Sequence, residues 1–219
     1  IKNALFKIIS FLDKITFFKF LFRIIIESRL KIYTKIKYND VDLSFYTPNK
    51  LNEFRIETFA TKEPETLNWI DKFEKNSFFW DIGSNIGLYS CYAAKKNDVN
   101  VVAFEPSVFN LELLTKNINI NNLNNKISII TNPLGTKINF SKFRMTNIEW
   151  GGALSTFDKN IGWDGHEIKN IFEYNLMGIS INDAKKIFNL PQPDYIKIDV
   201  DGIEHLIIEN GLDVIKKSK

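Results

Sequence analysis

The chain has little cysteine, and charged side chains interrupt its apolar segments. Cys91 is the single cysteine of 219 residues, which excludes an intrachain disulfide and a zinc cluster of cysteines and fits a reducing, cytoplasmic compartment. The N-terminal region has no uncharged run of about 18 residues, so a transmembrane span is not expected. The net charge of only +3 gives no strong field for a polyanion, and a nucleic-acid partner is therefore not expected.

Residues 1–33 mix aromatic and aliphatic side chains with lysine and arginine. Lys7, Lys19 and Arg23 interrupt the apolar runs, and no stretch of small residues follows them as in a signal peptide. The pattern indicates two helices. Either they cap the domain or pair with another subunit, or they lie on a membrane surface, where such mixtures of side chains are typical.

Residues 1–75 as a whole are predicted to form a lead-in of helices and one hairpin. A turn at 38–40 followed by the alternating residues 41–46 predicts a β-hairpin. Residues 50–75 have a helical pattern, and Pro64 fits the first turn of a helix. This lead-in comes just before the first core strand, so it is placed to cover a cofactor site.

The segment 78–90 combines an apolar run, a glycine turn and a helical pattern. The run ends at Asp81, and Gly83 and Gly87 follow in the turn. Glycine leaves room for a ligand to approach the backbone, and a helix start offers unpaired N–H groups. Glu105 ends the next apolar run, about 20 residues beyond the turn, where an acid accepts hydrogen bonds from ribose hydroxyls. The sequence therefore predicts a cofactor that contains adenosine.

The spacing of the turn discriminates between cofactors. A dinucleotide site has the pattern G-x-G-x-x-G, whereas Asn85 stands here in place of the second glycine. Asp81 would repel a pyrophosphate but suits a ligand with an ammonium and a sulfonium, which points to S-adenosylmethionine. Asn85 is expected to bond the ligand carboxylate or the turn backbone. The alternative is an ordinary strand–turn–helix whose glycines serve packing alone.

Four segments in series carry a family resemblance. They are FWDIGSNIGLYS (79–90), VAFEPSVFN (102–110), LELLTKNININNL (111–123) and DYIKIDVDGIEHLIIENG (194–211). Together they resemble the FkbM-type family of S-adenosylmethionine-dependent methyltransferases. The resemblance implies an α/β fold over residues 76–219, with a Rossmann-like class I methyltransferase sheet that is mostly parallel and has helices on both faces. It also implies methylation of a hydroxyl group on a sugar, a glycan or a secondary metabolite.

Core elements alternate in the predicted order. Strands are expected at 78–82, 100–105 and 126–131, and helices at 86–96 and 108–121, with Ser107 as a helix cap. The chain accounts for fewer strands than the family's sheet contains, so it looks incomplete at its C-terminus. The strand predicted at 195–200 is therefore expected to leave an apolar edge unpaired.

Residues 132–190 interrupt this alternation and form an insertion-like segment. In this fold the turn around Asn132 and Leu134 borders the adenine, and we assign both residues to the cofactor site together with Pro106. The segment also contains the glycine–aromatic clusters 150–152 and 162–166. Such clusters often belong to binding sites, so the segment is predicted to determine the acceptor. The alternative is a hairpin whose glycines only make turns. Asn182 is a candidate cap of the helix that follows.

The predicted catalytic residues follow the strand at 195–200. Ligands bind at the carboxyl ends of strands in open parallel sheets, which favours Asp199. Asp199 and Asp201 would share a face if the strand persists, so one could accept the acceptor's proton or both could hold Mg²⁺. His205 is a further candidate base, or else a partly exposed helix histidine.

Two other functions remain open at this stage. An NAD-dependent oxidoreductase would use the same type of sheet, although the turn spacing argues against it. A non-catalytic adaptor bound to a membrane would use residues 1–33 and a degenerate cofactor fold. The presence of Asp81, Gly83, Gly87, Glu105 and Asp199 argues against degeneracy.

Overall fold

The computed structural model describes residues 2–12, 16–29, 32–162 and 164–219. Within these ranges the helices are α1 (Lys2–Leu12), α2 (Thr16–Arg29), α3 (Lys50–Glu57), α4 (Phe59–Lys62), α5 (Pro64–Ile70), α6 (Leu88–Asn97), α7 (Val108–Ile120), α8 (Ile181–Ile187), α9 (Glu204–Glu209) and α10 (Leu212–Ile215). The strands are β1 (Tyr33–Tyr38), β2 (Val41–Tyr46), β3 (Phe78–Ile82), β4 (Asn100–Phe104), β5 (Ile127–Ile130), β6 (Asn139–Met145), β7 (Thr156–Phe157), β8 (Phe172–Gly178) and β9 (Tyr195–Ile198).

A parallel four-stranded sheet forms the centre of the fold. Its strand order is β5-β4-β3-β9, and every neighbouring pair is parallel. From β3 the chain adds β4 and β5 on one side, and it then places β9 on the other side of β3. The strand order thus reverses between β3 and β9, and ligand clefts in open α/β sheets occur at such a switch point. The α/β class predicted from the sequence is confirmed, and the core strands and helices begin within two residues of their predicted positions.

Helices cover both faces of this sheet. On one face, Phe79 and Val101 pack with Tyr92 of α6 and Leu114 of α7 in one buried cluster. On the other face, the residues that alternate with these along the strands pack against α8, α9 and α10 in a second buried cluster. The strands are therefore apolar on both sides, as expected for a parallel sheet between two helical layers.

The last strand is shorter than predicted. β9 ends at Ile198, because Asp201 (φ 62°) and Gly202 (φ 117°) leave the extended region. The strand does not persist to Asp201, so the condition under which Asp199 and Asp201 would share one face is not met. Among the described residues β9 pairs only with β3, so it forms the sheet edge that was expected.

The lead-in contains the predicted hairpin. β1 and β2 pair antiparallel through a turn in which Asn39 (φ 42°) and Asp40 (φ 63°) are left-handed. Helix α7 anchors the hairpin, because the side chains of Asn117 and Asn121 accept hydrogen bonds from the backbone of β2 at 2.8 and 2.9 Å. The three short helices α3, α4 and α5 then lead into β3.

The segment 132–190 forms a small antiparallel sheet with the order β7-β6-β8. Ser107 caps α7 as predicted. The predicted cap at Asn182 is wrong, because Ser180 caps α8 by accepting from the Asp183 N–H at 3.1 Å. Within the predicted cluster 162–166, Trp163 lies outside the described residues.

The N-terminal helices α1 and α2 expose most of their large apolar side chains, including Phe6, Phe11, Phe17 and Phe20. Over the described residues, no helix is both long and apolar enough to cross a membrane.

Candidate functional site

The glycine turn between β3 and α6 is held against β4. The N–H groups of Gly83 and Ser84 both donate to the Phe104 carbonyl at 3.0 Å. Gly83 (φ 81°), Asn85 (φ 50°) and Gly87 (φ 84°) are all left-handed. Residues with a Cβ adopt this left-handed backbone conformation only at a cost in free energy, which explains why glycine stands at 83 and 87.

The two glycines serve different contacts. A Cβ on Gly83 would lie 1.9 Å from the carbonyl oxygen of Asp199, so Gly83 permits the close approach of the ends of β3 and β9. A Cβ on Gly87 would lie 2.5 Å from Leu114 Cδ1. Gly87 thus allows α6 to pack on α7, and it does not line the cavities described below.

Glu105 lies at the end of β4, facing the turn. Its carboxylate accepts from the N–H of Asn85 at 2.8 Å and of Ser107 at 2.9 Å, and from Asn110 Nδ2 at 3.4 Å. Burial raises the pKa of Glu105 to about 7, although these three donors lower it in part. The group therefore titrates in the neutral range in the ligand-free protein.

A cavity of about 600 Å³ opens beside Glu105 at the carboxyl ends of the parallel strands. It brings together most of the residues predicted from the sequence, namely Gly83, Asn85, Glu105, Pro106, Asn132, Leu134, Asp199 and Asp201. Phe143 and Phe157 of the small antiparallel sheet line its far side, together with Gly152, Ala153 and Ser155. We call this space the adenosine cavity, after the group that the sequence predicts for it.

The residues of this cavity fit an adenosine group. A carboxylate has about four acceptor positions, and the protein uses three of those on Glu105, so one remains for a ribose hydroxyl. Leu134, Phe143 and Phe157 supply an apolar environment for a planar base. This combination of an apolar wall and one orienting acid is typical of small-molecule sites.

Asp81 lies beneath the turn. Only 1% of its surface is exposed, and its Oδ2 accepts from Ser90 Oγ at 2.6 Å. Burial raises the pKa of Asp81, while the neighbouring Lys197, its partner in the β3–β9 register, lowers it in part. Asp81 Oδ1 has no hydrogen-bond partner among the described residues. Asp81 thus contacts the start of α6, and a contact with the methionine part of a cofactor stays a prediction.

Asp199 and Asp201 differ in their surroundings. Asp199 is exposed and accepts a hydrogen bond from Lys197 Nζ at 2.8 Å. Asp201 accepts from the Leu154 N–H at 2.6 Å, and burial raises the pKa of its carboxyl. Within the described part of the chain, no group of three His, Cys, Asp or Glu side chains that could hold a metal ion is found. The predicted magnesium site thus gains no support.

His205 does not join the site. Helix α9 begins at Glu204, as predicted, and the carboxylate of Glu204 accepts from the N–H groups of Val200 and Gly202. His205 is exposed on the outside of this helix and lines neither cavity described here. The turn at 201–202 changes the chain direction, so the residue after Glu204 points away from the strand ends.

The cluster Trp150-Gly151-Gly152 closes one side of the adenosine cavity through its carbonyl groups. Asn49 and Asn52 donate to the Trp150 carbonyl, Arg55 Nη2 donates to that of Gly151 at 2.6 Å, and Asn85 Nδ2 donates to that of Gly152 at 2.8 Å. This turn thereby connects α3 with the glycine turn. Sequence reasoning identified the cluster but missed Arg55, whose partners are distant in the chain.

A second cavity of about 500 Å³ lies on the other side of the glycine turn. The lead-in contributes Arg55, Thr58, Phe59, Lys62 and Glu63, and the core contributes Gly83, Ser84, Asn85, Ile86, Leu88, Tyr89, Lys197 and Asp199. Gly83, Asn85 and Asp199 line both cavities, so the two spaces meet at these residues. We call this space the lead-in cavity. Lys197 was also missed, although a lysine within the apolar strand 195–198 was a signal for it.

Comparison with known sequences identifies the domain. The profile of the methyltransferase FkbM domain family matches residues 81–219, which include the glycine turn, Glu105 and Asp199. The chain belongs to this family. The resemblance inferred from the four sequence segments is thereby confirmed.

Individual relatives are distant. Hexuronic acid methyltransferase AglP from Haloferax volcanii is 26% identical over 136 residues, which are 62% of this chain and 50% of that protein. The chain thus spans about half the length of this curated relative. Precorrin-6y C5,15-methyltransferase from Geobacter metallireducens is 15% identical, with 78% of this chain and 61% of that chain covered and a TM-score of 0.42. The C-terminal domain of precorrin-6Y C5,15-methyltransferase from Rhodobacter capsulatus is 14% identical. The match covers 73% of this chain and 58% of that chain, with a TM-score of 0.41.

Proposed function

We propose that this protein is an S-adenosylmethionine-dependent O-methyltransferase that modifies a hydroxyl group of a sugar or glycan. The observation that carries the proposal is the adenosine cavity, in which Glu105, Gly83 and Asp199 meet at the strand ends of a family member. The Haloferax relative, whose name gives a hexuronic acid as its substrate, favours a sugar acceptor over other hydroxyl compounds.

The chain's own residues would bind and orient the reactants. Glu105 would accept a ribose hydroxyl, and Pro106, Asn132 and Leu134 would contact the adenine. S-adenosylmethionine supplies an electrophilic methyl group when bound. Asp199 lines both cavities, which supports it as the carboxylate that would take the proton of the acceptor hydroxyl. Lys197, at 2.8 Å from Asp199, would hold this carboxylate in place.

An NAD-dependent oxidoreductase is disfavoured by the position of Asn85. A dinucleotide fingerprint needs a glycine there, so that the backbone can approach the pyrophosphate. The Asn85 side chain instead crosses to the Gly152 carbonyl at 2.8 Å. A dinucleotide would have to displace this contact, together with the closing turn that it holds.

A turnover assay tests the proposed function. The full chain is incubated with S-adenosylmethionine and a panel of neutral and acidic methyl glycosides, and formation of S-adenosylhomocysteine is measured. We expect product formation that depends on the sugar. Turnover with phenols but with no carbohydrate would overturn the sugar assignment.

Replacing the proposed base tests the chemistry. We expect Asp199→Asn to slow methyl transfer by roughly 100- to 10,000-fold, the range typical of general-base catalysis. The affinity for S-adenosylhomocysteine, measured by titration calorimetry, is expected to stay within about threefold, a change below 1 kcal/mol. Asp213→Asn, on the exposed helix α10, is the matched control. An unchanged rate in the Asp199 variant would exclude its role as base.

We also propose that α1 and α2 bind the surface of an anionic membrane. Residues 1–33 contain seven Lys or Arg and two Asp or Glu, a net of +5 in a chain whose total is +3. Phe6 (75% exposed), Phe11 (67%) and Phe20 (63%) lie on these helices together with other exposed apolar side chains. Exposed apolar groups with surrounding positive charge are the features of interfacial helices.

Vesicle flotation tests this membrane contact. We expect the chain to float with vesicles that contain phosphatidylglycerol and to float less with neutral phosphatidylcholine vesicles, because both charge and apolar burial contribute. The double variant Phe11→Ser/Phe20→Ser should remain at the bottom of the gradient. Phe140→Ser removes a phenylalanine that is 70% exposed on β6 and should float normally. Equal flotation of both variants would contradict the proposal.

A further inference from the structure

We infer that the lead-in cavity is the acceptor site, and that it is built for a sugar that carries a carboxylate. This inference rests on the proposed function. It assigns the acceptor to helices α3 and α4 and leaves the segment 132–190 as the cover of the adenosine cavity. Four observations on the lead-in cavity support it, and they concern its position, its charges, one polar atom without a partner and its aromatic surface.

The position follows from the reaction. Donor and acceptor must meet at one point, with the attacking oxygen, the methyl carbon and the sulfur in line. The lead-in cavity and the adenosine cavity share only Gly83, Asn85 and Asp199. The backbones of Gly83 and Asp199 contact each other at this junction, so the two spaces meet at the side chains of Asn85 and Asp199.

The charges favour an anionic acceptor. Lys197 is already paired with Asp199 at 2.8 Å, whereas Lys62 has only a 3.5 Å contact with Glu63, and its side chain is 56% exposed. Arg55 uses Nε and Nη2 on the Gly151 carbonyl, and its Nη1 donates to no atom of the described residues. The lining thus holds three cations (Arg55, Lys62 and Lys197) and two carboxylates (Glu63 and Asp199), a net charge of +1. Arg55 Nη1 is the donor left over, and a carboxylate is the group that such a donor recognises.

Polar atoms of the lining fit a hydroxylated ligand. Ser84 is 6% exposed, and its Oγ has no hydrogen-bond partner among the residues that the structure describes. A buried hydroxyl without a partner is costly, so a ligand hydroxyl at this position would relieve that cost. Ser84 lines the lead-in cavity and not the adenosine cavity.

The remaining lining fits the body of a sugar ring. Tyr89, which is partly buried, provides aromatic surface, and the buried Phe59 packs against it with ring centroids 6.2 Å apart. These aromatic, hydroxyl and cationic groups complement a uronic acid residue, which has an apolar ring face, hydroxyls and a carboxylate.

The transfer step balances with these groups alone. The acceptor oxygen forms a bond to the methyl carbon while the carbon–sulfur bond breaks, and the electron pair of that bond stays on the sulfur. The hydroxyl proton passes to the carboxylate of Asp199. No oxidant, reductant or further reactant is required.

The test compares pairs of methyl glycosides that differ only in having a carboxylate or a hydroxymethyl group at the ring. Their binding to the full chain loaded with S-adenosylhomocysteine is measured by saturation-transfer NMR, for gluco-, galacto- and manno-configured pairs. We expect a uronate to bind about tenfold more tightly than its neutral partner, the value of one charge-assisted hydrogen bond. Lys62→Glu should remove this preference, and Lys72→Glu, an exposed lysine outside both cavities, should keep it.

A filling substitution locates the site. Thr58→Trp should block glycoside binding and leave the affinity for S-adenosylhomocysteine unchanged, whereas Ala60→Trp, on the exposed side of α4, should change neither. Loss of S-adenosylhomocysteine binding in the Thr58 variant would mean that the cavity holds the cofactor's amino-acid end, and would overturn the inference. So would an absent uronate preference or no glycoside binding. A wild-type chain that fails to bind S-adenosylhomocysteine would instead overturn the proposed function.

Discussion

Gly83→Ala is expected to cause the largest loss of stability of any single substitution in the glycine turn. The added Cβ would lie 1.9 Å from the Asp199 carbonyl oxygen. Because the Cβ is fixed to one backbone and the oxygen belongs to the other, the clash cannot be relieved without separating β3 from β9. The positive φ of 81° adds a second cost. We expect a loss of about 3 kcal/mol or more in the free energy of unfolding.

Thermal unfolding measures this effect, and Gly165→Ala separates its two causes. Gly165 has a similar φ of 77°, but an added Cβ there meets no atom within 4 Å. Gly165→Ala should therefore cost only about 1 kcal/mol, the cost of the left-handed conformation alone. For a chain of this length each kcal/mol lowers Tm by roughly 2–4 °C. Equal Tm losses in the two variants would show that the approach of Gly83 to Asp199 is not as close as described.

Glu105→Ala is expected to produce the largest loss of cofactor affinity. The substitution removes the acceptor for the ribose and leaves the donors from Asn85, Ser107 and Asn110 without their partner. Loss of a hydrogen bond to a charged group should weaken S-adenosylhomocysteine binding by roughly 10- to 100-fold. Glu209→Ala, an exposed acid of α9, is the control. Titration calorimetry gives both affinities. An unchanged affinity in the Glu105 variant would show that Glu105 does not bind the cofactor.

The pH dependence of binding provides a separate readout on the same residue. Glu105 has a pKa of about 7 in the ligand-free protein because it is buried, and a ribose hydroxyl that donates to it favours the ionised form. Affinity should therefore be constant well above pH 7 and fall as the pH drops below 7, by up to about tenfold per unit. Glu105→Gln should abolish this dependence. The opposite slope would mean that the ligand accepts a hydrogen bond from protonated Glu105.

Local sequence patterns predicted the core of the fold well. The strand 78–82, the glycine turn and the acid at the end of the next strand depend on residues that are close in sequence, and their patterns are visible within short windows. The order of these elements then limits the sheet to few topologies, because parallel strands need crossover helices. The adenosine cavity follows from that order.

The same patterns could not give contacts between distant segments. Arg55 meets the Gly151 carbonyl across 96 residues, and Asn85 meets that of Gly152 across 67 residues. No local signal marks either pair, so the role of the turn at 150–152 in closing the site became visible only in three dimensions. The lining of the lead-in cavity by Thr58 and Lys62 was hidden for the same reason.

Small backbone details also escaped the sequence. The Asp201-Gly202 dipeptide is a turn signal that the strand prediction at 195–200 did not use, and the left-handed conformation of Asp201 separates it from Asp199. Asp81 is predicted to contact a ligand because it ends a strand before a glycine turn, and nothing in that pattern indicates its contact with Ser90. Its burial against Ser90 depends on how α6 returns over β3, which is a matter of tertiary packing.

The central claim is that the adenosine cavity binds S-adenosylmethionine, and a direct titration tests it. The full chain is titrated in a calorimeter with S-adenosylmethionine, with S-adenosylhomocysteine and, separately, with NAD. We expect one site for each of the first two ligands and no heat of binding for NAD. Binding of NAD, or the absence of binding for both sulfur compounds, would contradict the account.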